Sequence, residues 1–393
     1  MFYGAWAFFI PSCIQPPDTQ QHFCLMSTVV PSSIRVLVTD DTALYRRMLS
    51  DVLSSIPGVE VAGTSFDGED CLVQLEKLRP DFVTLDINMP RRDGLSTLAE
   101  IRKRGIKTQV VMVSSPTAES AEQTLLALRS GALDMILKPA GSSIQENRRS
   151  LEEQLLNQVE TVRGLLRNTF RSSATRTRPP TPVQPRGKPQ VPLPTVNRVG
   201  SFQSLCIGVS TGGPAALGNI IPLLPLGLPV PIFIVQHMPP VFTKSMANHL
   251  ASTSKVPVVE ATHGEIAKPG HVYIAPGGKQ MKMARKGTTF EIIINDDPAL
   301  GACKPSVDYM LNAAAEVTGG NTLAMILTGM GSDGLAGCRR LNALGAHILA
   351  QSGETCVVYG MPRQIVDNGL ANEIIPLQGI ASRLVELLKG GIR

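Results

Sequence analysis

Short apolar runs separated by longer amphipathic stretches occupy two parts of the chain. In the first part, runs rich in β-branched residues alternate with helical patterns such as TALYRRMLSDVLSSI. Such runs are typical of strands buried on both faces of a parallel sheet. The alternation predicts a five-stranded, doubly wound α/β domain over residues 34–145, with strands at 34–39, 59–64, 82–86, 110–114 and 135–138.

A second series of apolar runs predicts another α/β domain, with a parallel sheet, over residues 201–393. Its strand candidates are LCIGVS, PIFIVQ, HVYIAP, FEIIIN, TLAMILTG and HILAQS. In sheets of this kind, ligands bind beyond the carboxyl ends of the strands. Functional side chains are therefore expected where the strands end.

The segments outside these two domains have a different composition. Residues 146–200 begin with an amphipathic helical pattern and continue into a stretch rich in Pro and Arg. The stretch has little apolar surface to bury, which predicts an extended linker that tethers the two domains. Residues 1–33 are expected to be a disordered or artefactual extension, with a second possible start at Met26; the alternative is a weak membrane-contacting tail.

The overall composition narrows the class of protein. The chain of 393 residues is 43% hydrophobic and 18% charged, with 4% aromatic residues and a net charge of +5. These values are ordinary for a globular protein and predict neither nucleic-acid binding nor membrane insertion. Seven cysteines without a CxxC pair suggest no zinc site and no disulfide framework, and predict a reducing, cytoplasmic location.

Acidic residues stand at the strand ends of the first domain. Asp40 and Asp41 close the first strand and Asp86 closes the third, while Ser114 and Lys138 end the fourth and follow the fifth. Three carboxylates at one edge repel one another unless a hard cation such as Mg²⁺ joins them. The pattern predicts that one carboxylate attacks a phosphoryl donor while Ser114 and Lys138 hold the phosphoryl oxygens.

This part of the chain resembles the receiver domain of response regulators, through VLVTDDTALYRRML, LDINMPRRDGL, VVMVSS and ILKP. The resemblance implies that Asp86 is the phosphoacceptor and that a histidine kinase is the phosphodonor. It also implies that Asp40, Asp41, Asp86 and the backbone of Asn88 hold Mg²⁺. Receivers often carry an aromatic switch residue where this chain has Met135, so a rotamer-coupled switch is not expected to operate in the usual way.

The motif IGVSTGGP in the second domain has three interpretations. As a dinucleotide-binding loop it lacks the acidic residue expected at the end of the next strand. As a nucleophile elbow it pairs Ser210 with Asp333 and His347. The third interpretation is favoured: Ser210, His237 and Asp333 all stand at strand ends on one face and form a catalytic triad.

These motifs resemble the catalytic domain of chemotaxis protein-glutamate methylesterases, through IGVSTGGP, VQHMPPVFT, VYIAPGG, KPSVDYM, LTGMGSDGLAG and GMPR. The resemblance implies that Ser210 attacks methylated glutamates on the cytoplasmic helices of chemoreceptors, with His237 as base and Asp333 orienting it. No cofactor is implied for this step, and glutamine deamidation is compatible with the same chemistry. The backbones of Gly212, Gly213 and Met330 are candidates for the oxyanion hole, and Thr211 is expected to hydrogen-bond within the site.

Two positions depart from the family pattern, and both are expected to affect substrate binding. Gln280 stands where His is frequent and Lys304 where Arg is usual. The functional alternative to an esterase is a signalling scaffold whose hydrolase-like domain only binds a partner.

Overall fold

The structure is a computed structural model that describes residues 33–174, 202–299, 301 and 303–390, with the side chains of the first range described to residue 167. The predicted N-terminal extension, up to residue 32, and the predicted Pro-rich linker lie outside the described residues.

A five-stranded parallel sheet, in the order β2-β1-β3-β4-β5, forms the first domain. Helices α1 and α5 cover one face around Leu49, Leu53 and Leu155, and α2, α3 and α4 cover the other. The predicted doubly wound α/β class is confirmed. The elements are β1 (Ile34–Thr39), α1 (Ala43–Ser55), β2 (Val59–Ser65), α2 (Gly68–Leu78), β3 (Phe82–Asp86), α3 (Gly94–Lys103), β4 (Gln109–Ser114), α4 (Ala118–Arg129), β5 (Asp134–Leu137) and α5 (Ile144–Ala174).

The second domain is built on a seven-stranded parallel sheet in the order β15-β14-β13-β6-β7-β10-β8, which confirms the predicted α/β class of this half. A three-stranded sheet, β11-β12-β9, stands beside it. The elements are β6 (Ser204–Val209), α6 (Gly213–Ile220), β7 (Ile232–Gln236), α7 (Phe242–Thr253), β8 (Val258–Glu260), β9 (Ile266–Ala267), β10 (Val272–Ile274), β11 (Gln280–Lys286), β12 (Thr289–Asn295), α8 (Val307–Val317), β13 (Thr322–Ile326), α9 (Leu335–Ala343), β14 (His347–Gln351), α10 (Met361–Asp367), β15 (Glu373–Ile375) and α11 (Leu377–Lys389).

One strand candidate of the second domain lies outside the parallel sheet. The run FEIIIN forms β12, which pairs antiparallel with β11. Phe290 and Ile292 are buried, whereas the residues between and after them are partly exposed. This alternation is the pattern of a strand with one buried face, which places β12 in the smaller sheet.

Helix α4 of the first domain lies at the contact between the two domains. It packs against α6 and α7 of the second domain. Leu125 and Leu128 of α4 belong to the same buried apolar cluster as Ile220 and Met246. The first domain therefore packs directly against the second domain through α4. No helix among the described residues has the length and apolarity needed to cross a membrane.

Candidate active site

Ser210 stands in a tight turn between β6 and α6. Its backbone amide donates to Thr328 O at 3.0 Å, and its carbonyl accepts from Gly213 N at 2.7 Å. Gly212 has φ 79°, a left-handed conformation that favours glycine. A Cβ at Gly213 would lie 1.9 Å from Gln236 Oε1. The two glycines are therefore required by the turn that presents Ser210 at the sheet edge.

His237 is placed beside this turn by the register of neighbouring strands. It follows β7, and its backbone amide donates to Val209 O at 3.1 Å. Its Nε2 lies 2.7 Å from Asp333 Oδ2, which leaves Nδ1 facing away from the carboxylate. Burial disfavours the imidazolium, but Asp333 and the neighbouring Cys303 outweigh it and raise the pKa of His237 to about 9.

Asp333 is held by the amino terminus of α8. Its Oδ1 accepts from Ser306 Oγ at 3.0 Å and from Asp308 N at 2.8 Å, and its Oδ2 accepts from Val307 N at 2.7 Å. Helix amino termini favour anions because their amides lack partners within the helix. Burial opposes ionisation, but the bond from His237 and these amides hold the pKa of Asp333 below its usual value.

A cavity of about 940 Å³ contains all three predicted triad residues in its lining, together with Gly212 and Met330. Among the described residues, no hydrogen bond joins Ser210 Oγ to His237. Catalytic hydrogen bonds are often long before substrate binds, so a small adjustment of Ser210 or His237 is expected in the substrate complex.

The predicted oxyanion-hole residues are not equivalent. The amide of Gly213 donates to Ser210 O, so it is committed to the turn and unavailable to a substrate oxygen. Within the described part of the chain, the amides of Gly212 and Met330 have no acceptor. These two groups remain the candidates for stabilising an oxyanion.

The first domain supplies part of the cavity wall. Thr211 was predicted to hydrogen-bond within the site, and its Oγ1 donates to Asp134 Oδ2, 2.6 Å away on β5, which lines the same cavity. Thr161 of α5 lies 3.0 Å from the sulfur of Met330. Met135 lines the same cavity. The first domain thus contacts the residue next to Ser210 and one of the two oxyanion candidates.

The predicted acidic site lies at the carboxyl edge of the first sheet. Ligand oxygens of Asp40, Asp41 and Asp86 lie within 4.8 Å of one another. Lys138 Nζ bridges Asp40 Oδ2 at 2.8 Å and Asp86 Oδ2 at 2.7 Å. Burial and then Asp40 raise the pKa of Asp86 to about 6, despite Lys138. Three clustered carboxylates with one lysine retain excess negative charge, which fits a hard divalent cation such as Mg²⁺.

Two further residues predicted for this site have different surroundings. Ser114 ends β4, and its buried hydroxyl accepts from Thr124 Oγ1 at 2.9 Å. Asn88 lies in the exposed loop two residues after Asp86. Both stand at the same sheet edge as Asp86, where their predicted roles require them.

The contacts of three further residues test the roles that the sequence suggested for them. His347 begins β14, at the opposite edge of the sheet, and its Nε2 bonds to Glu373 at 2.9 Å. It therefore does not join Ser210. Gln280 is fully buried, which contradicts its expected part in substrate binding. Lys304 lines the cavity while its Nζ bonds to Asp296 O at 3.0 Å.

Three residues of the site were not identified from the sequence. Asp134 lies in a strand of the other domain, so no local pattern connects it to Ser210. Cys303 adjoins His237 in space only. Ser306 had a visible signal, because a serine before an amphipathic run is typical of a helix N-cap, and its side chain accepts from Tyr309 N.

Comparison with known proteins assigns both domains. The family model "Response regulator receiver domain" matches residues 36–146, and "CheB methylesterase" matches residues 205–384. The chain is 42% identical over 362 residues to the protein-glutamate methylesterase/protein-glutamine glutaminase of Desulfotalea psychrophila, covering 91% of this chain and 99% of that protein. The chain belongs to the CheB methylesterase family.

A further relative aligns over most of the chain, and a solved structure aligns with the second domain. The protein-glutamate methylesterase/protein-glutamine glutaminase of Thermotoga maritima is 41% identical over 360 residues, covering 90% of this chain and 98% of that protein. The crystal structure of the Thermotoga maritima CheB methylesterase catalytic domain is 43% identical, with a TM-score of 0.47, and covers 47% of this chain and 98% of that one.

Proposed function

We propose that this chain is a phosphorylation-activated, cytoplasmic protein-glutamate methylesterase that hydrolyses glutamate methyl esters on the cytoplasmic helices of chemoreceptors. The observation that carries the proposal is the His237–Asp333 pair, with 2.7 Å between Nε2 and Oδ2, in the cavity that Ser210 also lines. The names of the relatives supply the substrate class.

Hydrolysis proceeds in two steps. Ser210 Oγ attacks the ester carbonyl carbon and gives its proton to His237 Nδ1, the ring nitrogen that does not face Asp333. The bond to the methoxy group then breaks, the methoxy oxygen takes the proton from the imidazolium, and methanol leaves. Water attacks the acyl-enzyme in the same way, and the Ser210 oxygen leaves with the returned proton.

Other residues stabilise the charges that develop. Asp333 orients the imidazole and stabilises its protonated form, while the amides of Gly212 and Met330 are placed to bind the tetrahedral oxyanion. The same steps convert glutamine to glutamate when ammonia is the leaving group. The names of the relatives include this glutaminase activity, and we extend the proposal to it.

Regulation depends on the packing of the first domain against the second. Asp134 contacts Thr211 and Thr161 contacts Met330, and these contacts restrict access to Ser210. In the proposed cycle, a histidine kinase phosphorylates Asp86. Asp40, Asp41, Asp86 and the backbone of Asn88 would hold Mg²⁺, which neutralises the phosphoryl oxygens when bound. Lys138 and Ser114 then bind phosphoryl oxygens. When Lys138 leaves its ion pairs with Asp40 and Asp86, the contacts that β5 and α5 make with the second domain weaken.

The test is methanol release from methylated receptor membranes, with and without a small phosphodonor. Release that increases with phosphodonor and vanishes in Ser210→Ala supports the proposal. Receptor binding without any methanol release, by the wild-type chain with or without phosphodonor, would instead support the signalling scaffold.

A further inference from the structure

A hydrogen-bonded chain runs from the buried start of β11 to the imidazole of His237. Gln280 has no exposed surface, and its Oε1 accepts from Ser306 N at 3.0 Å while its Nε2 donates to Pro298 O at 3.3 Å. Ser306 is 1% exposed, and its Oγ donates to Asp333 Oδ1 at 3.0 Å. Asp333 Oδ2 in turn faces His237 Nε2.

We propose that Ser306 is a positioning residue for the triad, and that Gln280 fixes Ser306 in place. This inference rests on the proposed function, because it concerns the orientation of the same Asp333. Ser306 contacts neither the cavity nor a reacting atom in this structure; it acts through the carboxylate.

The geometry explains why one hydroxyl matters. Asp333 can rotate about its terminal torsion, and each of its oxygens must keep a separate task for Oδ2 to face His237. Oδ1 is occupied by Ser306 Oγ and Asp308 N, so it cannot exchange places with Oδ2 without breaking two hydrogen bonds. The amide of Val307 secures Oδ2 from the other side. Ser306 provides the one side-chain donor in this set apart from His237.

Gln280 gives this arrangement a second layer. Ser306 is the N-cap of α8, and its hydroxyl also accepts from Tyr309 N at 3.3 Å. The amide side chain of Gln280 bonds to the backbone on both flanks of the segment that precedes α8, at Pro298 and Ser306. Gln280 therefore fixes the position of the N-cap relative to Asp333.

The experiment compares full-length Ser306→Ala and Ser306→Thr by the pH profile of methyl-ester hydrolysis, with kcat and KM measured separately. Removal of one donor to Asp333 should lower kcat about tenfold with little change in KM, the order expected for a hydrogen bond to a charged group. It should also make the carboxylate a stronger base, so the apparent pKa of kcat/KM should rise. Ser306→Thr, which retains the hydroxyl, should recover most of kcat.

The matched control is Ser204→Ala, because Ser204 is also fully buried, bonds to Thr318 Oγ1 at 3.2 Å and begins β6 at the opposite sheet edge. It should lower the melting temperature without moving the pH profile. An unchanged kcat and profile in Ser306→Ala would overturn the inference, even if its stability fell.

Gln280→Met keeps the inference testable if Ser306→Ala does not fold. Its kcat should fall a few-fold with a shifted profile, and a wild-type kcat and profile would overturn the assignment. Absence of hydrolysis by the wild-type chain is a different outcome, since it would contradict the proposed function and not the positioning of Asp333.

Discussion

The hydroxyl of Thr211 lies 2.6 Å from the carboxylate of Asp134, so the residue next to Ser210 is bonded to the other domain. Thr211 is 7% exposed, and burial raises the pKa of Asp134 despite this hydrogen bond. The contact joins β5 of the receiver domain directly to the turn that carries the proposed nucleophile. No other residue stands between β5 and the residue next to Ser210 along this contact.

Removal of this hydrogen bond should make the unphosphorylated enzyme more active. A net hydrogen bond contributes about 1 kcal/mol, a factor of about five in the equilibrium between packed and separated domains. Asp134→Ala should raise hydrolysis by the unphosphorylated protein about fivefold. The control is Asp51→Ala, because Asp51 is exposed on α1 and, within the described part of the chain, has an ion pair with Arg47 alone. Equal rates for Asp134→Ala and the wild type would show that this bond does not hold the domain in place.

The second prediction separates the triad from its alternative. Ser210→Ala should reduce ester hydrolysis on the order of 10⁶-fold, and His237→Ala should lose nearly as much, because triad members act together. His347→Ala should keep wild-type activity, although it should be less stable, since His347 bonds to Glu373 beside Arg383. Circular dichroism would verify that each variant is folded. An essential His347 with a dispensable His237 would reverse the assignment.

The third prediction is a pH profile displaced to the alkaline side. Only neutral His237 can accept the Ser210 proton, and its pKa is raised from 6.5 to about 9. The initial-rate kcat/KM should therefore rise with pH through about 9. The protonated pair also stabilises the fold below pH 6.5, and this contribution is lost as the pH rises through about 9.

Asp333→Asn tests the cause of this displacement. The substitution removes the anion that stabilises the imidazolium, so the midpoint should move toward lower pH while the rate falls about 10⁴-fold, as loss of the orienting carboxylate does in a serine triad. A midpoint that stays in place would show that Asp333 is not what raises the pKa of His237.

The sequence was sufficient for features that depend on local periodicity and on strand ends. The strand run 34–39 became β1 without a shift, and Ser210, His237 and Asp333 reached one cavity because parallel strands end at one edge. Strands of three residues, such as β8 and β15, were missed because so short a run shows no periodicity. Asp134 and Cys303 could not be found in this way. The contact of Asp134 with Thr211 and that of Cys303 with His237 depend on tertiary packing alone.

Gln280 illustrates a further limit of reading motifs. Its position beside the APGG turn suggested contact with substrate, but it lies at the buried start of β11. The side chain is satisfied by backbone groups of the segment before α8. A polar residue in a motif can support the site from behind, and only the direction of its side chain distinguishes the two roles.

The last prediction concerns control by the receiver domain. A fragment beginning at Val199 lacks Asp134 and Thr161, which contact Thr211 and Met330, so it should hydrolyse esters faster than the unphosphorylated full-length protein. Asp86→Asn should leave the full-length protein unresponsive to phosphodonor. A metal chelator should abolish the response of the wild type and leave the activity of the fragment unchanged, because the predicted Mg²⁺ ligands all lie in the receiver domain. Steady-state methanol release measures all three. A fragment slower than the unphosphorylated whole would contradict the proposed inhibition, and the receiver domain would then have to act by recruiting substrate to Ser210.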